Sequence, residues 1–324
     1  MQKILRSRES ILMLILLVLF AGFAIGIEGF FDWLNLLERS RYWVVPGMLA
    51  VPMTFIIATA GIDLSVGSIL GMSGIILGLL FRDLGWPISL AACAAVLISG
   101  LAGAFNGGVS SYLRIPPLVV TLATMALFSG AAMGLSQARP IGNFPASFQW
   151  FGQGDLVKLS LGGNKAVSFP VPLMILLLTV IAGWLLMRRS WIGRFTECIG
   201  ENEIAAEFAA INVRRMKLFL YTASGLIAGL AAVINTAQYA TARPDAGKGL
   251  ELEVIACVVV GGTRISGGRA TVIGSLLGLL LIGLLRYGLE MAGVQSQHGI
   301  MVVGALLILT AVLNEWQSAR AEGK

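Results

Sequence analysis

The sequence of 324 residues is 57% hydrophobic and only 12% charged, with a net charge of +6 and a mean hydropathy of +0.86. Soluble domains hold roughly 25% charged residues, and a chain of this length cannot enclose so much apolar surface in water, which excludes a water-soluble fold. The positive balance has no basic stripe with interleaved aromatics, so nucleic acid is not a partner; membrane lipid is, and cations at helix ends suit it.

In chain order, Lys3, Arg6 and Arg8 precede the apolar run Ile11–Ile27. No small-x-small cleavage site follows and many further spans come later, so this run reads as a retained first helix. With roughly 20 apolar residues needed to cross the hydrocarbon core, candidate spans fall at 10–27, 42–60, 66–81, 88–110, 117–136, 169–187, 217–236, 252–262, 270–288 and 299–314. The third and eighth are short, and 61–81 and 252–269 are expected to hold short or broken helices, which the bilayer tolerates only where protein or a cavity surrounds the backbone. The expected fold is an all-α polytopic membrane protein of about ten transmembrane helices, a single transmembrane domain over 1–324 in which 40 glycines allow close helix packing. An N-terminus in the cytoplasm places 14 of the 23 Lys and Arg residues on the cytoplasmic side and 9 on the other. That bias predicts that both termini are cytoplasmic.

Two polar stretches interrupt the spans. Residues 137–168 carry Phe144, Phe148, Trp150 and Phe151 and read as an extracytoplasmic loop with aromatics at the interface. Residues 188–217 are charged at both ends and amphipathic between, with a short helix expected from Glu201 to Ile211 on the spacing of Ile204, Phe208 and Ile211. That helix either rests on the membrane surface or docks a cytoplasmic partner. There is also an internal echo, Gly61-Ile-Asp-Leu-Ser-Val-Gly67 against Gly262-Thr-Arg-Ile-Ser-Gly-Gly268, of the sort left by related halves.

The chemistry of an enzyme is missing. No Gly-x4-Gly-Lys-Ser/Thr phosphate loop, zinc signature or nucleophile elbow occurs, and Cys93, Cys198, Cys257 and the lone His298 form no metal or disulfide framework. Ionisable groups within spans, the mark of ion coupling, are few: Asp63 at the end of the second span, and Arg286 and Glu290, whose four-residue spacing predicts a pair. An ion-coupled carrier of a small polar solute is therefore the second reading. Polar candidates for a pathway are Thr54, Thr59, Asn106, Thr121, Thr124 and Asn235, with Asp63 either among them or capping the next helix, and with Asp63 and Arg264 on the same predicted side and able to pair.

Several segments resemble one family. Ala60-Gly-Ile-Asp-Leu-Ser-Val-Gly67, the run TECIGENEIAA from Thr196 to Ala206, Ile211-Asn-Val-Arg214, Tyr221-Thr-Ala-Ser-Gly225, and Glu251-Leu-Glu-Val-Ile-Ala256 with Val260-Gly-Gly-Thr263 and Ser266-Gly-Gly268 occur in the order found in ribose-type ABC importer permeases. The resemblance implies a bacterial inner-membrane subunit, paired with itself or a sister permease, driven by a cytoplasmic ATPase that uses the ATP, and fed by an extracytoplasmic sugar-binding protein; this chain would bind no cofactor or metal and catalyse no reaction. It implies that 188–217 is the cytoplasmic coupling loop, with Arg194, Glu197, Gly200, Glu201, Asn202, Glu203, Ala205, Ala206, Glu207 and Arg214 contacting the ATPase. Departures from the family pattern are Ala60 for its first glycine, Glu201 for a second glycine, Arg264, and Arg286 where many relatives have Asn.

Overall fold

The computed structural model describes residues 8–160 and 166–295 and, beyond them, 299, 301, 302, 304, 305 and 308; the predicted span 299–314 and His298 lie mostly or wholly outside the described residues. The described chain is a helical bundle, as expected: α1 (Arg8–Gly26), α2 (Trp33–Ala58), α3 (Val66–Arg82), α4 (Ile88–Tyr112), α5 (Pro117–Ser136), α6 (Ala146–Gln153), β1 (Asp155–Ser160), β2 (Ala166–Pro170), α7 (Val171–Arg189), α8 (Trp191–Glu201), α9 (Glu203–Phe208), α10 (Val213–Tyr239), α11 (Leu250–Val260) and α12 (Val272–Met291). Among them α1, α2, α4, α5, α7, α10 and α12 are long and apolar enough to cross a membrane.

Helix starts follow from residue chemistry. Pro87, Pro116, Pro145 and Pro170 stand at the N-caps of α4, α5, α6 and α7, where a fixed φ and a missing N–H cost nothing. Side-chain oxygens cap the helices that begin near α8: Ser190 accepts from the Ile192 N–H, Asn202 from Ala205, Asn212 from Arg215 and Thr271 from Gly274.

Gathered at one end of the bundle are the end of α2, the loop before α12, α8 and the start of α1. The Gly268 N–H donates to the Ala58 carbonyl at 3.0 Å, and Thr271 Oγ1 to Glu9 Oε1 at 2.7 Å. At the other end Arg39 of α2 meets Glu290 of α12. A polar cap covers this second end. Residues 137–168, expected as loop, contain α6 and an antiparallel hairpin in which Lys158 lies opposite Ser168 and Ser160 opposite Ala166. Arg41 pins the cap: its guanidinium reaches Asp155 at 2.5 Å and the Gly152 and Gly154 carbonyls. Period-2 alternation is too brief in these strands to stand out beside the apolar spans.

The two short spans are half-helices. At about 1.5 Å per residue, the 17 residues of α3 and 11 of α11 reach about 26 and about 17 Å, less than the ~30 Å hydrocarbon core. Residues 59–65 turn back from the first end into the bundle before α3 begins. Residues 240–249 turn back from the second end before α11. A stripe of glycines on α3 makes room for the second of these loops. A Cβ on Gly67 would meet Gly247, one on Gly71 the Pro244 carbonyl, and one on Gly78 the Ile141 side chain.

The most extensive helix–helix packing is between α4 and α10. Gly103 lies against the Tyr221 carbonyl and Gly225, Gly225 against the Ser99 carbonyl, and Gly229 against Val96 and Ser99. Small residues at this seam let two backbones touch. Gly103→Ala is expected to cost about 1–3 kcal/mol through overpacking, lowering the melting temperature of the purified protein. Gly130→Ala, on open space, should leave it unchanged or slightly raised.

Candidate functional site

Three features stand out from the packed bundle. The first is the surface pair α8–α9. Ile192, Gly193, Thr196 and Ile199 bury one face of α8, while Trp191, Arg194, Cys198 and Glu201 remain exposed. The expected single helix over 201–211 does not form. Asn202 is extended (φ −159°, ψ 105°), ends α8 at Glu201 and starts α9, its Oδ1 accepting the Ala205 N–H at 3.0 Å. An asparagine that bonds its own backbone competes with helix continuation. The other spacing-based expectation divides: Ile211 turns in toward the core, whereas Ile204 and Phe208 stand 68% and 89% exposed. Ala206 is the buried residue of α9, and Ala205 and Glu207 share the exposed surface. Glu203 bonds Lys217 Nζ at 2.6 Å and so ties α9 to α10. Arg194 and Arg214 are exposed and make no ion pair among the described residues.

Beneath this pair lies a tight seat. A Cβ on Gly200 would run into the Ala58 carbonyl and the Gly268 amide, and one on Gly267 would meet the Ala60 amide and Gly200. The two loops of the sequence echo thus meet where α8 ends. Glu197 lies over the start of α12; burial pushes its carboxyl pKa up, against the opposing pull of Arg188 and Arg269 and a bond from the Ala270 backbone.

The second feature is a buried carboxylate. Asp63 is fully buried, and its Oδ1 accepts from the Ser65 amide at 2.9 Å and the Ser65 hydroxyl at 2.6 Å. Ser224 Oγ donates to its other oxygen at 3.4 Å, and Asn106 Nδ2 donates to Ser65 Oγ at 2.7 Å. Thr121 Oγ1 donates to the Ile62 carbonyl. Ser224 lies about 17 Å along α10 from Val213, so this node is deep in the bundle. Asp63 stands at the start of α3 in an Asx turn, just outside the N-cap Ser65, where the helix dipole favours a carboxylate. It does not pair with Arg264. The backbone of that residue is held in its own turn by the Arg269 carbonyl and the Gly267 amide, while Ser65 and Ser224 satisfy Asp63.

The third feature is a cavity of about 740 Å³ at the second end, lined by α2, the end of α10, residues 241–249, the start of α11 and the end of α12. Arg286 and Glu290 face it but do not pair with each other. Arg286 bonds Glu253 of α11 at 2.5 Å, and Glu290 bonds Arg39 of α2 at 3.2 Å. Helical spacing brings residues four apart near one another, but partners on neighbouring helices win here. Among the pathway candidates, Asp63, Asn106 and Thr121 gather at the buried node. Thr54, Thr59 and Thr124 bond carbonyls of their own helices, Thr54 also reaching Ser275 at 2.8 Å. Asn235 lines the cavity. Glu253, Tyr239 and Arg39 also line it and are not singled out by sequence; the acidic pair Glu251 and Glu253 in the first turn of α11 is the available signal.

A lipid-length bundle with two half-helices, an open cavity with ion pairs in its wall at one end and an exposed helix at the other is a transport permease. The chain belongs to the family described as branched-chain amino acid transport system / permease component, whose model matches residues 35–311. Among curated proteins it is 37% identical over 304 residues to the autoinducer 2 import system permease protein LsrD of Yersinia enterocolitica, covering 92% of this chain and 88% of that one. It is 38% identical to the protein of that name from Yersinia pseudotuberculosis (86% and 82% covered), and 35% identical to the one from Escherichia coli (88% of each). No solved structure matches.

Removing the buried carboxylate leaves Ser65 and Ser224 without an acceptor. Asp63→Ala is expected to cost about 1–3 kcal/mol, and Asp63→Asn distinctly less because its amide oxygen still accepts from Ser65. Thermal unfolding of the two variants in detergent checks the order.

Proposed function

We propose that this permease is the membrane subunit of an ATP-driven, binding-protein-dependent importer for a monosaccharide or sugar-like molecule, with autoinducer 2 as the first cargo to test because the relatives carry that name. It works as a dimer with itself or a sister permease in the bacterial inner membrane, both termini and the 188–217 loop on the cytoplasmic side. ATP is hydrolysed by a separate cytoplasmic subunit, since this chain has no phosphate-loop motif. The observation that carries the reading is the exposure of Ile204 and Phe208 on α9. Two large apolar side chains, four apart and flanked by Glu201 and Glu207, form the anchor set of a helix that enters a partner's groove. Gly200 and the α2–α8 seat then transmit the partner's movement into the bundle.

The double variant Ile204→Ser/Phe208→Ser tests this. Each side chain has the character of an interface hot spot worth ~2 kcal/mol, or about 30-fold in affinity. The ABC ATPase subunit of the importer, co-expressed with the chain, should no longer co-purify with it, and autoinducer 2 uptake by the cells should fall to that of a deletion strain. Retention of the ATPase at full stoichiometry would overturn the docking assignment.

A further inference from the structure

The cavity at the end opposite α9 has a lining that speaks for a particular cargo chemistry. Its charges are almost all spent on one another: Arg39 with Glu290, Arg286 with Glu253, and Arg243 with Asp245 at 2.9 Å. Lys248 is the remaining cation in the wall among the described residues. A site that selects an anion keeps several cations or backbone donors free for it; here guanidinium groups are already matched to carboxylates. A wholly nonpolar cargo fits less well: Trp43, Leu250 and Leu252 share the wall, but covering the partly enclosed Glu253–Arg286 pair with an apolar surface would leave its desolvation uncompensated.

Hydroxyl groups suit this wall, since each both donates and accepts. The Glu253–Arg286 pair is the more enclosed of the two that link helices, with side chains 19% and 37% exposed against 42% and 53% for Arg39 and Glu290. One bond joins Arg286 NH1 to Glu253 Oε2. Glu253 Oε1 and the other N–H groups of Arg286 have no bond within the described protein, which leaves an acceptor and several donors side by side at the cavity wall. Opposite polar groups need an apolar surface for the C–H face of a ring, and Tyr239, 53% exposed, provides one on the same wall. The Tyr287 and Tyr42 rings are less free, since the Arg39 guanidinium stands 5.5 and 5.8 Å from their centroids. The volume of about 740 Å³ is within the range of small-molecule sites.

We propose that this cavity is a transit site for a small neutral polyhydroxylated molecule, with the Glu253–Arg286 pair as its hydrogen-bonding reader and Tyr239 as its apolar plate. This rests on the importer reading above and assigns that reading a site and a ligand chemistry. The pair joins the first turn of α11 to α12, so occupancy bears on the half-helix that reaches the α9 end.

The test is ligand protection of a cysteine. Thr241→Cys lines the cavity; placed in a Cys93→Ala/Cys198→Ala background, which removes the exposed native thiols, it is labelled with a maleimide in opened membranes from cells carrying the whole importer. Autoinducer 2 or D-ribose should slow labelling several-fold, whereas sodium citrate should not. Glu253→Gln should raise the half-protecting concentration about tenfold, the factor given by one charge-assisted hydrogen bond, with the rate without ligand unchanged. Arg286→Lys, which keeps a cation and loses the fork of donors, gives the same reading independently. Protection by citrate equal to that by the polyols, protection by neither polyol, or an unmoved half-protecting concentration in both variants overturns the proposal. Autoinducer 2 uptake that survives deletion of the chain would instead count against the cargo reading, and protection by D-ribose would still decide the cavity.

Discussion

Gly67 and Gly247 lie so close that a Cβ on either would fall on the other's backbone. This contact is where the two broken spans cross, and the membrane makes it demanding. Backbone that leaves the helix inside lipid must find its hydrogen bonds in protein. The loop 59–65 does so through the Asx turn of Asp63 and Ser65. The other loop does so in part through a two-bond bridge between Ile141 and Ala242 at 2.9 and 2.8 Å. That bridge draws the outer cap into the bundle, so the hairpin region is tied to the half-helices as well as covering them. A glycine stripe on α3 is the enabling feature: any side chain at 67 or 71 would push the irregular segment outward, and its peptide groups with it.

Much of this architecture is legible in the amino-acid order. Length and hydropathy place eight of the ten spans to within four residues at each end, while α2 begins nine residues ahead of the predicted 42 because its polar first turns hide it; the two short runs are α3 and α11 because an apolar stretch of that length cannot cross alone. Partner choice is what the order of residues hides. Arg286 and Glu290 have the spacing of a pair on one helix, yet Glu253 and Arg39 take them, and nothing in a linear sequence ranks neighbours from other helices. The break at Asn202 illustrates a different failure. Apolar spacing across 201–211 is helical, but a local side-chain bond to the Ala205 amide overrides it. The buried node is half visible. Asp63 can be assigned to a cap, but its tie to Ser224 and the bond from Asn106 to Ser65 join α10 and α4 to a loop far away in sequence.

The resemblance to ribose-type permeases acquires a physical meaning at Ala60. Its φ is +58°, in the left-handed region, where an L side chain costs roughly 1–2 kcal/mol and glycine is relaxed. The family's glycine at this position therefore suits the backbone, and the alanine of this chain keeps the turn at some cost. The surrounding contacts hold it: the Ala60 amide lies beside Gly267, and the nearby Ala58 carbonyl accepts the Gly268 N–H. Strain of this sort persists only where the structure around it is over-determined.

That same corner connects the two ends of the molecule. Gly200 closes α8 directly against Ala58 and Gly268, with no side chain between to absorb a shift. Close-packed backbone transmits displacement, since packed cores have discrete arrangements and deform little between them. A rotation of α8 must therefore carry Ala58 and the loop 59–65 with it or break the Ala58–Gly268 bond. From that loop the contacts run through Asp63 to Ser224 of α10, and through Gly67 to Gly247 at the start of α11, whose first turn holds Glu253 at the cavity. The exposed helix at one end and the ion-paired cavity at the other are thus joined by contacts between backbones and buried polar groups, the kind of linkage that lipid-facing side chains, free to change rotamer, could not supply.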